Sequence, residues 1–283
     1  MEFFSALWHH AFLQYALAGG LLASIGCGIV GSYVVVKRIG FLAGGISHSV
    51  LGGMGIAIFF GLSPLGGALV AAVASALLIG WVRLTWREQE DTLIGTLWAV
   101  GMAIGILFIS KTPGYGVNLM SYLFGNILMV SPEDIWMMAG IDLLILLTVY
   151  FCYQQFLAVS FDEEFARLRG VPVTFFYLLL LCMVAVTVVL LIQVVGLILV
   201  IALLTLPAAI AAHYVHSLGK MMLLATFLGM AFTLLGLAIS YGPDFPAGAT
   251  IILVAGLTYL ISLFVTTLQK RKVLRQQLLQ AMK

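Results

Sequence analysis

The chemistry this chain can perform rests on few side chains: five histidines, eleven carboxylates and three cysteines among 283 residues. His48 is the most unusual of them. It lies in FLAGGISHSVLGGMGIAIFFG (41–61), a run otherwise built of glycine, serine, methionine and large apolar residues. An ionisable group within an apolar run of that length marks a functional position by default. A neutral imidazole donates a lone pair to a divalent ion such as Zn²⁺ without needing a buried anion. On a helix His48, Gly52 and Gly55 share one face, and Gly45, Ser49 and Gly53 share the next. Small residues there let backbones approach closely. Two readings follow: a narrow path with His48 as a transient metal ligand, or a helix contact in which His48 hydrogen-bonds a neighbour.

The other candidates are weaker in pattern. His213 and His216 are spaced i, i+3 after Pro207, where they can hold a leaving metal or merely provide polarity at a helix end. His9 and His10 are adjacent and face different ways on a helix. Asp142 lies about two turns into an apolar run and is costly there unless paired or wet. In SPED (131–134), Ser131 reads as a helix N-cap with Glu133 and Asp134 in the first turn, and Asp91 reads as another cap. Cys27, Cys152 and Cys182 have no CxxC spacing and read as packing residues, neither disulfides nor zinc ligands. The twelve methionines are scattered packing filler.

These residues are positioned by a membrane. The chain is 63% hydrophobic and 8% charged, with mean hydropathy +1.17, against about 25% charged in ordinary soluble domains. Apolar runs lie near 11–36, 41–61, 64–82, 92–110, 135–157, 173–191, 194–212, 219–240 and 247–268, each near the ~20 residues a spanning helix needs. The expected fold is an all-α, polytopic transmembrane helical bundle of about eight to nine spans, with no alternating pattern of the barrel kind. Charge settles the count at nine, some spans short or broken. With the N-terminus outside, the inner loops hold Lys37, Arg38, Arg83, Arg87, Arg167, Arg169, Lys220 and the five basic residues of the tail, leaving only Lys111 outside. That is the positive-inside signature. NLMSYLFGNILMV (118–130) is too short to cross and reads as re-entrant or interfacial. Residues 1–283 read as one membrane domain, and MEFFSALWHHAF lacks the marks of a signal peptide.

One amphipathic element falls inside, SFDEEFARLRGVP (160–172). Ser160 and Glu163 match a capping box. Asp162, Glu163 and Glu164 load the first turn and Arg167 and Arg169 the last, matching the helix dipole. Gly170 suits the C′ position and Pro172 stops the helix. Phe161, Phe165 and Leu168 form one apolar stripe. This helix rests on lipid or inserts into a soluble partner; its leading acids favour the partner over an anionic surface.

Six segments in order carry a resemblance: GGISHSVLGG (44–53), DTLIGTLWAVG (91–101), LMSYLFGNILMVSPED (119–134), FDEEFARLRGV (161–171), VVGLILVIALLTLPAAIAA (194–212) and DFPAGATIIL (244–253). Nearly end to end, the chain resembles the membrane permease subunit of bacterial ABC importers for zinc, manganese and iron. The resemblance implies the ABC importer permease fold, a second permease copy, two cytoplasmic ATPase subunits and an extracytoplasmic metal-binding lipoprotein. It also implies that the helix at about 160–170 is a coupling helix. Asp162, Glu163, Glu164, Phe165, Arg167 and Gly170 would then meet the ATPase, with Asp244 and Glu133 placed to meet the binding protein. No cofactor is expected on the chain itself; Zn²⁺, or Mn²⁺ or Fe²⁺, would be cargo. Gly44 and Asn126 stand where relatives often carry aspartate, which tilts the cargo towards zinc, since manganese favours oxygen ligands.

The chain contains no G-x-x-x-x-G-K-[ST], so ATP would act through a partner subunit. No nucleic-acid partner is expected, and no nucleophile–base constellation points to an enzyme. An ion-gradient-driven transporter would call for paired intramembrane acids, which are scarce here. A non-transporting scaffold would leave the cytoplasmic helix as a simple docking handle.

Overall fold

The computed structural model describes residues 2–85, 90–112, 125, 127–197 and 200–281. Among them every regular element is helical. A short α1 (Glu2–His9) leads into α2 (Ala11–Lys37), α3 (Gly40–Phe59), α4 (Pro64–Thr85) and α5 (Glu90–Lys111). A 3₁₀ turn at Ile127–Met129 precedes α6 (Pro132–Phe161), α7 (Glu163–Leu168), α8 (Val173–Val195), α9 (Val200–Tyr214), α10 (Leu218–Tyr241) and α11 (Ala247–Ala281). Arg87, Asn126 and most of 118–130 lie outside the described residues, and with them the re-entrant segment expected there.

Eight of these helices are long and apolar enough to cross a membrane. The ninth apolar run is the short one. It forms α9, whose 15 residues extend only about 22 Å, less than the ~30 Å of hydrocarbon. Of the described residues before it, Gly196 (φ +85°) and Leu197 are non-helical. Leu197 and, at the start of the helix, Val200 are fully buried, and α9 packs against α2, α10 and α11. Irregular backbone is tolerated in a membrane protein where protein rather than lipid surrounds it.

The bundle is organised around α2 and α3, which are buried on nearly every side, whereas α5, α6 and α11 present most of their surface outward. Glycines make the close central packing possible. A Cβ at Gly52 would stand 2.8 Å from the Gly101 carbonyl oxygen of α5, and one at Gly55 would stand 2.6 Å from that of Gly105. Gly53 meets the Gly67 backbone of α4 in the same way. Backbone atoms of a facing helix cannot swing aside, so a side chain at these positions would push the helices apart.

Local chemistry sets several helix ends. Ser131 caps α6 through a full capping box: its Oγ accepts from the Asp134 N–H at 3.2 Å, and its own N–H donates to Asp134 Oδ2 at 2.9 Å. With 30 residues, α6 runs about 45 Å, longer than the hydrocarbon is thick. It departs from helical geometry at Cys152 (φ −108°, ψ 17°). Between α2 and α3 the chain turns within two residues, with Arg38 left-handed at φ 59° and its N–H donating to the Val34 and Val35 carbonyls. α5 begins at Glu90, so Asp91 sits inside its first turn, not at the cap position expected of it.

Candidate functional site

His48 projects from the middle of α3 and is only 8% exposed. Its ring stacks on Trp98 of α5, with centroids 3.8 Å apart and an interplanar angle of 11°. The buried Nδ1 has no hydrogen-bond partner among the described residues. The hydrogen-bonded neighbour of the packing reading is not found at Nδ1, while the Trp98 stack is itself a contact between α3 and α5. The flanking serines are occupied within the bundle: Ser47 Oγ donates to the Gly44 carbonyl at 2.7 Å, Ser49 Oγ donates to the Ile46 carbonyl at 2.7 Å, and Ser49 and Ser75 share a 2.8 Å hydroxyl contact. The site is therefore one imidazole held flat by an indole, with a free nitrogen and no nearby carboxylate cluster. Among the described residues no three His, Cys, Asp or Glu side chains converge to cage a metal. One imidazole nitrogen can serve as a single, exchangeable ligand, where a closed tetrahedral cage would retain an ion.

Trp98 was not singled out from the sequence. The signal was present: Trp98, Gly101 and Gly105 recur at i, i+3 and i+7, so the glycines that admit α3 share a face with the indole that covers His48. A cavity of about 790 Å³ opens beside this contact, walled by Ser49, Gly53, Ser75, Val100 and Gly101 among others. His48 is not part of that wall, which is mainly apolar and unsuited to a divalent ion.

The structure separates the second histidine pair. α9 ends at Tyr214, so His216 lies beyond the helix, exposed, in the link to α10. The i, i+3 helical geometry expected of His213 and His216 is not formed. His213 instead shares a 3.0 Å hydrogen bond between its Nδ1 and Ser262 Oγ of α11, and Ser262 in turn donates to the Tyr214 hydroxyl at 3.1 Å. Asp142 is buried, and neither carboxylate oxygen finds a partner among the described residues. A Cβ at Gly26 of α2 would lie 2.9 Å from its Oδ1. Asp244, left-handed at φ 58°, and Glu133 are both exposed, at the ends of α10 and α6 that the charge pattern places outside.

At the end that the charge pattern places inside, α7 is capped by Asp162, not Ser160. Asp162 Oδ1 accepts from the Phe165 N–H at 2.9 Å. α6 continues through Ser160 to Phe161, which corrects the expected capping box by two residues. Gly170 is left-handed at φ 76° and ends the turn, with Val171 N–H donating to the Ala166 carbonyl at 3.0 Å. Ala166 is fully buried while Phe165 and Leu168 of α7, and Phe161 at the end of α6, are exposed; the extended Asp162 between the helices breaks the single stripe expected of these three residues, which instead face outward from either side of the junction. Glu163 turns the other way. Its Oε1 accepts from Lys37 Nζ at 2.5 Å and lies 3.8 Å from Arg83 Nη2. Burial pushes the Glu163 carboxyl up, but the Lys37 hydrogen bond and the charges of Lys37, Arg83 and Arg167 outweigh it and hold the group below the usual range.

The family model described as the ABC 3 transport family matches residues 9–266. The chain belongs to the ABC 3 transport family. An uncharacterized membrane protein of Synechocystis sp. is 48% identical over 90% of each chain. The manganese transport system membrane protein MntC of Halalkalibacterium halodurans is 36% identical over 93% of this chain and 90% of its own. The solved structure of PsaBC from Streptococcus pneumoniae in complex with Fab superposes with TM-score 0.84 at 34% identity, covering 92% of this chain and 94% of that one. The helical bundle is thus the permease fold of metal ABC importers, and the chain is a multi-pass protein of the cell membrane. As a permease of this family it is not itself the ATPase.

Proposed function

We propose that the whole chain acts as one permease domain of an ATP-driven zinc importer, working by alternating access. The buried, unpartnered imidazole of His48 carries this reading. It stands on α3, the most buried span among the described residues, and its chemistry suits Zn²⁺ without help from an anion. Gly44, one turn before it, supplies no oxygen ligand. A second copy of the chain would complete the path, and a separate cytoplasmic subunit would bind and hydrolyse ATP. The exposed Phe161, Phe165 and Leu168, with Asp162, Glu164 and Arg167 around them, suit docking on that subunit. Asp244 and Glu133 suit contact with an extracytoplasmic metal-binding protein. ATP-driven movement of α7 would tilt the spans and open the His48 path to one side and then the other.

Manganese is the second reading, favoured by the relative named for manganese transport. Uptake by proteoliposomes holding the chain, its ATPase and its binding protein decides between them. ATP-dependent uptake that prefers Zn²⁺ over Mn²⁺, and that falls at least about tenfold in His48→Ala while the complex still assembles, is the expected result. Equal or better Mn²⁺ uptake makes manganese the cargo. Uptake without the ATPase overturns the importer, and a silent His48→Ala returns that residue to helix packing.

A further inference from the structure

A second cavity, of about 610 Å³, opens on the flank of the bundle between α6 and α10, which both pack on α2. Ile25 and Ile29 of α2, Leu146 and Tyr150 of α6, and Met222 and Leu223 of α10 line it. Tyr150 and Leu223 are exposed, so the cavity is open towards whatever surrounds the spans. It follows α6 from Leu146 to Gln154 for about 12 Å, and α10 from Gly219 to Thr226 for about 10 Å. Those stretches are the second half of α6 and the first third of α10, at the end that the charge pattern places inside. Polar side chains stand at that rim. The Tyr153 hydroxyl is 3.4 Å from where a Cβ on Gly219 would be, and Gln154 beside it also lines the cavity. Lys220, next after Gly219, is exposed. None of these three side chains has a hydrogen-bond or ion-pair partner among the described residues.

From this geometry we infer that the cavity holds an acyl chain of one anionic phospholipid of the inner leaflet, its headgroup phosphate at Lys220, Tyr153 and Gln154. An apolar recess on the flank of a spanning bundle fills with hydrocarbon, because an empty one forfeits contacts along all its walls. Its size falls within the range of small-molecule pockets. The walls alone do not choose among lipids; the rim does. Phosphate oxygens accept from the ammonium, phenol and amide donors gathered there. Basic pockets between spans on the cytoplasmic side attract anionic head groups. No carboxylate lies on α2, on α10 or on residues 143–161 of α6 to compete for the lysine. Its long stem lies against hydrocarbon while the ammonium stays at headgroup level. A second copy of the chain fits this face less well. A two-fold axis along the membrane normal would bring its own Lys220 to the same depth, like charge towards like. The inference concerns the chain in its membrane and holds whichever ion is carried.

The test uses the full chain, purified and delipidated in a non-ionic detergent. It is titrated with phosphatidylglycerol and, separately, with phosphatidylcholine of the same acyl chains. Native mass spectrometry counts bound lipid, and the thermal unfolding midpoint is followed beside it. One phosphatidylglycerol is expected to bind saturably, about fivefold more tightly than phosphatidylcholine, and to raise the midpoint. Lys220→Gln, at an exposed position, is expected to lose that preference while still folding. Leu223→Trp, which enlarges a side chain on the cavity wall, is expected to weaken both lipids. Lys270→Gln removes an exposed cation that the charge pattern also places inside but that lies outside the cavity, and is expected to keep the wild-type preference. Equal binding of the two lipids by the wild type overturns the inference. So does a Lys270→Gln loss as large as that of Lys220→Gln, which would make the attraction one of overall charge. A Leu223→Trp chain that falls from dimer to monomer with lipid binding intact overturns it as well, since the face would then join two copies.

Discussion

His48 and Asp142 are both polar, both enclosed by helices, and both lack a hydrogen-bond partner among the described residues, yet their surroundings differ. His48 is neutral without effort and gains an aromatic stack, so an open nitrogen is inexpensive to maintain. Asp142 lies against Gly26, and neither of its carboxylate oxygens has a hydrogen-bond partner among the described residues. An unmatched carboxyl of that kind is destabilising by the desolvation of its oxygens. Asp142→Leu, an apolar side chain of similar shape, is therefore expected to stabilise the purified protein by about 1–3 kcal/mol, read as a rise in thermal unfolding midpoint in detergent. An unchanged or lower midpoint would mean that a partner beyond the described residues already satisfies the group. Residues of this kind are only half legible in sequence. That His48 is buried follows from its apolar surroundings, but Trp98 comes from fifty residues away, and no local pattern announces a stack.

The helices were more legible than their contacts. Lipid demands about twenty apolar residues per crossing, so the runs stand out, and α7 was located by its charges, Gly170 and Pro172. Its cap was misread because Ser160 and Asp162 both precede an acid-rich turn, and the choice depends on how far α6 continues. The apolar run ending at 212 stops within two residues of the end of α9 at Tyr214, but the i, i+3 pairing of His213 with His216 needed helix beyond it, and Val215–Ser217 contains neither glycine nor proline to rule that out. The Glu163–Lys37 pair spans 126 positions and has no sequence signature. Between α3 and α5 the glycines give a sharper expectation. Gly55→Ala drives a methyl into the Gly105 backbone and should cost about 1–3 kcal/mol as overpacking. Gly95→Ala on α5 meets nothing within 4 Å and should instead gain about 0.5–1 kcal/mol of helix propensity. Thermal unfolding of the two variants side by side checks the contrast, and equal effects would refute the close approach.

For the molecule as a whole, charge asymmetry sets orientation while glycine sets compactness. Eight helices are long enough to cross among the described residues; the charge pattern counts the short α9 as a ninth traverse, which would carry an outer N-terminus to an inner tail. The 35 residues of α11 extend about 52 Å, longer than the hydrocarbon is thick, so its basic end projects beyond it. Protease added to right-side-out vesicles should leave an epitope after residue 270 intact and remove it only once the vesicles are opened. Cleavage in sealed vesicles would place the tail outside and reverse every inside and outside assignment made from charge.

The inward ion pair also bears on how the complex forms. Because Glu163 already neutralises Lys37 and α7 is capped at Asp162 and closed at Gly170, the cytoplasmic helix holds its pose before any partner arrives. The entropy of ordering that segment is spent during folding of the permease and does not weigh against association. A helix left loose would have to be frozen at every encounter. On the docking proposed above, recognition by the soluble subunit is close to a rigid-body event, with exposed apolar side chains displayed in advance and an affinity set by fit and water release.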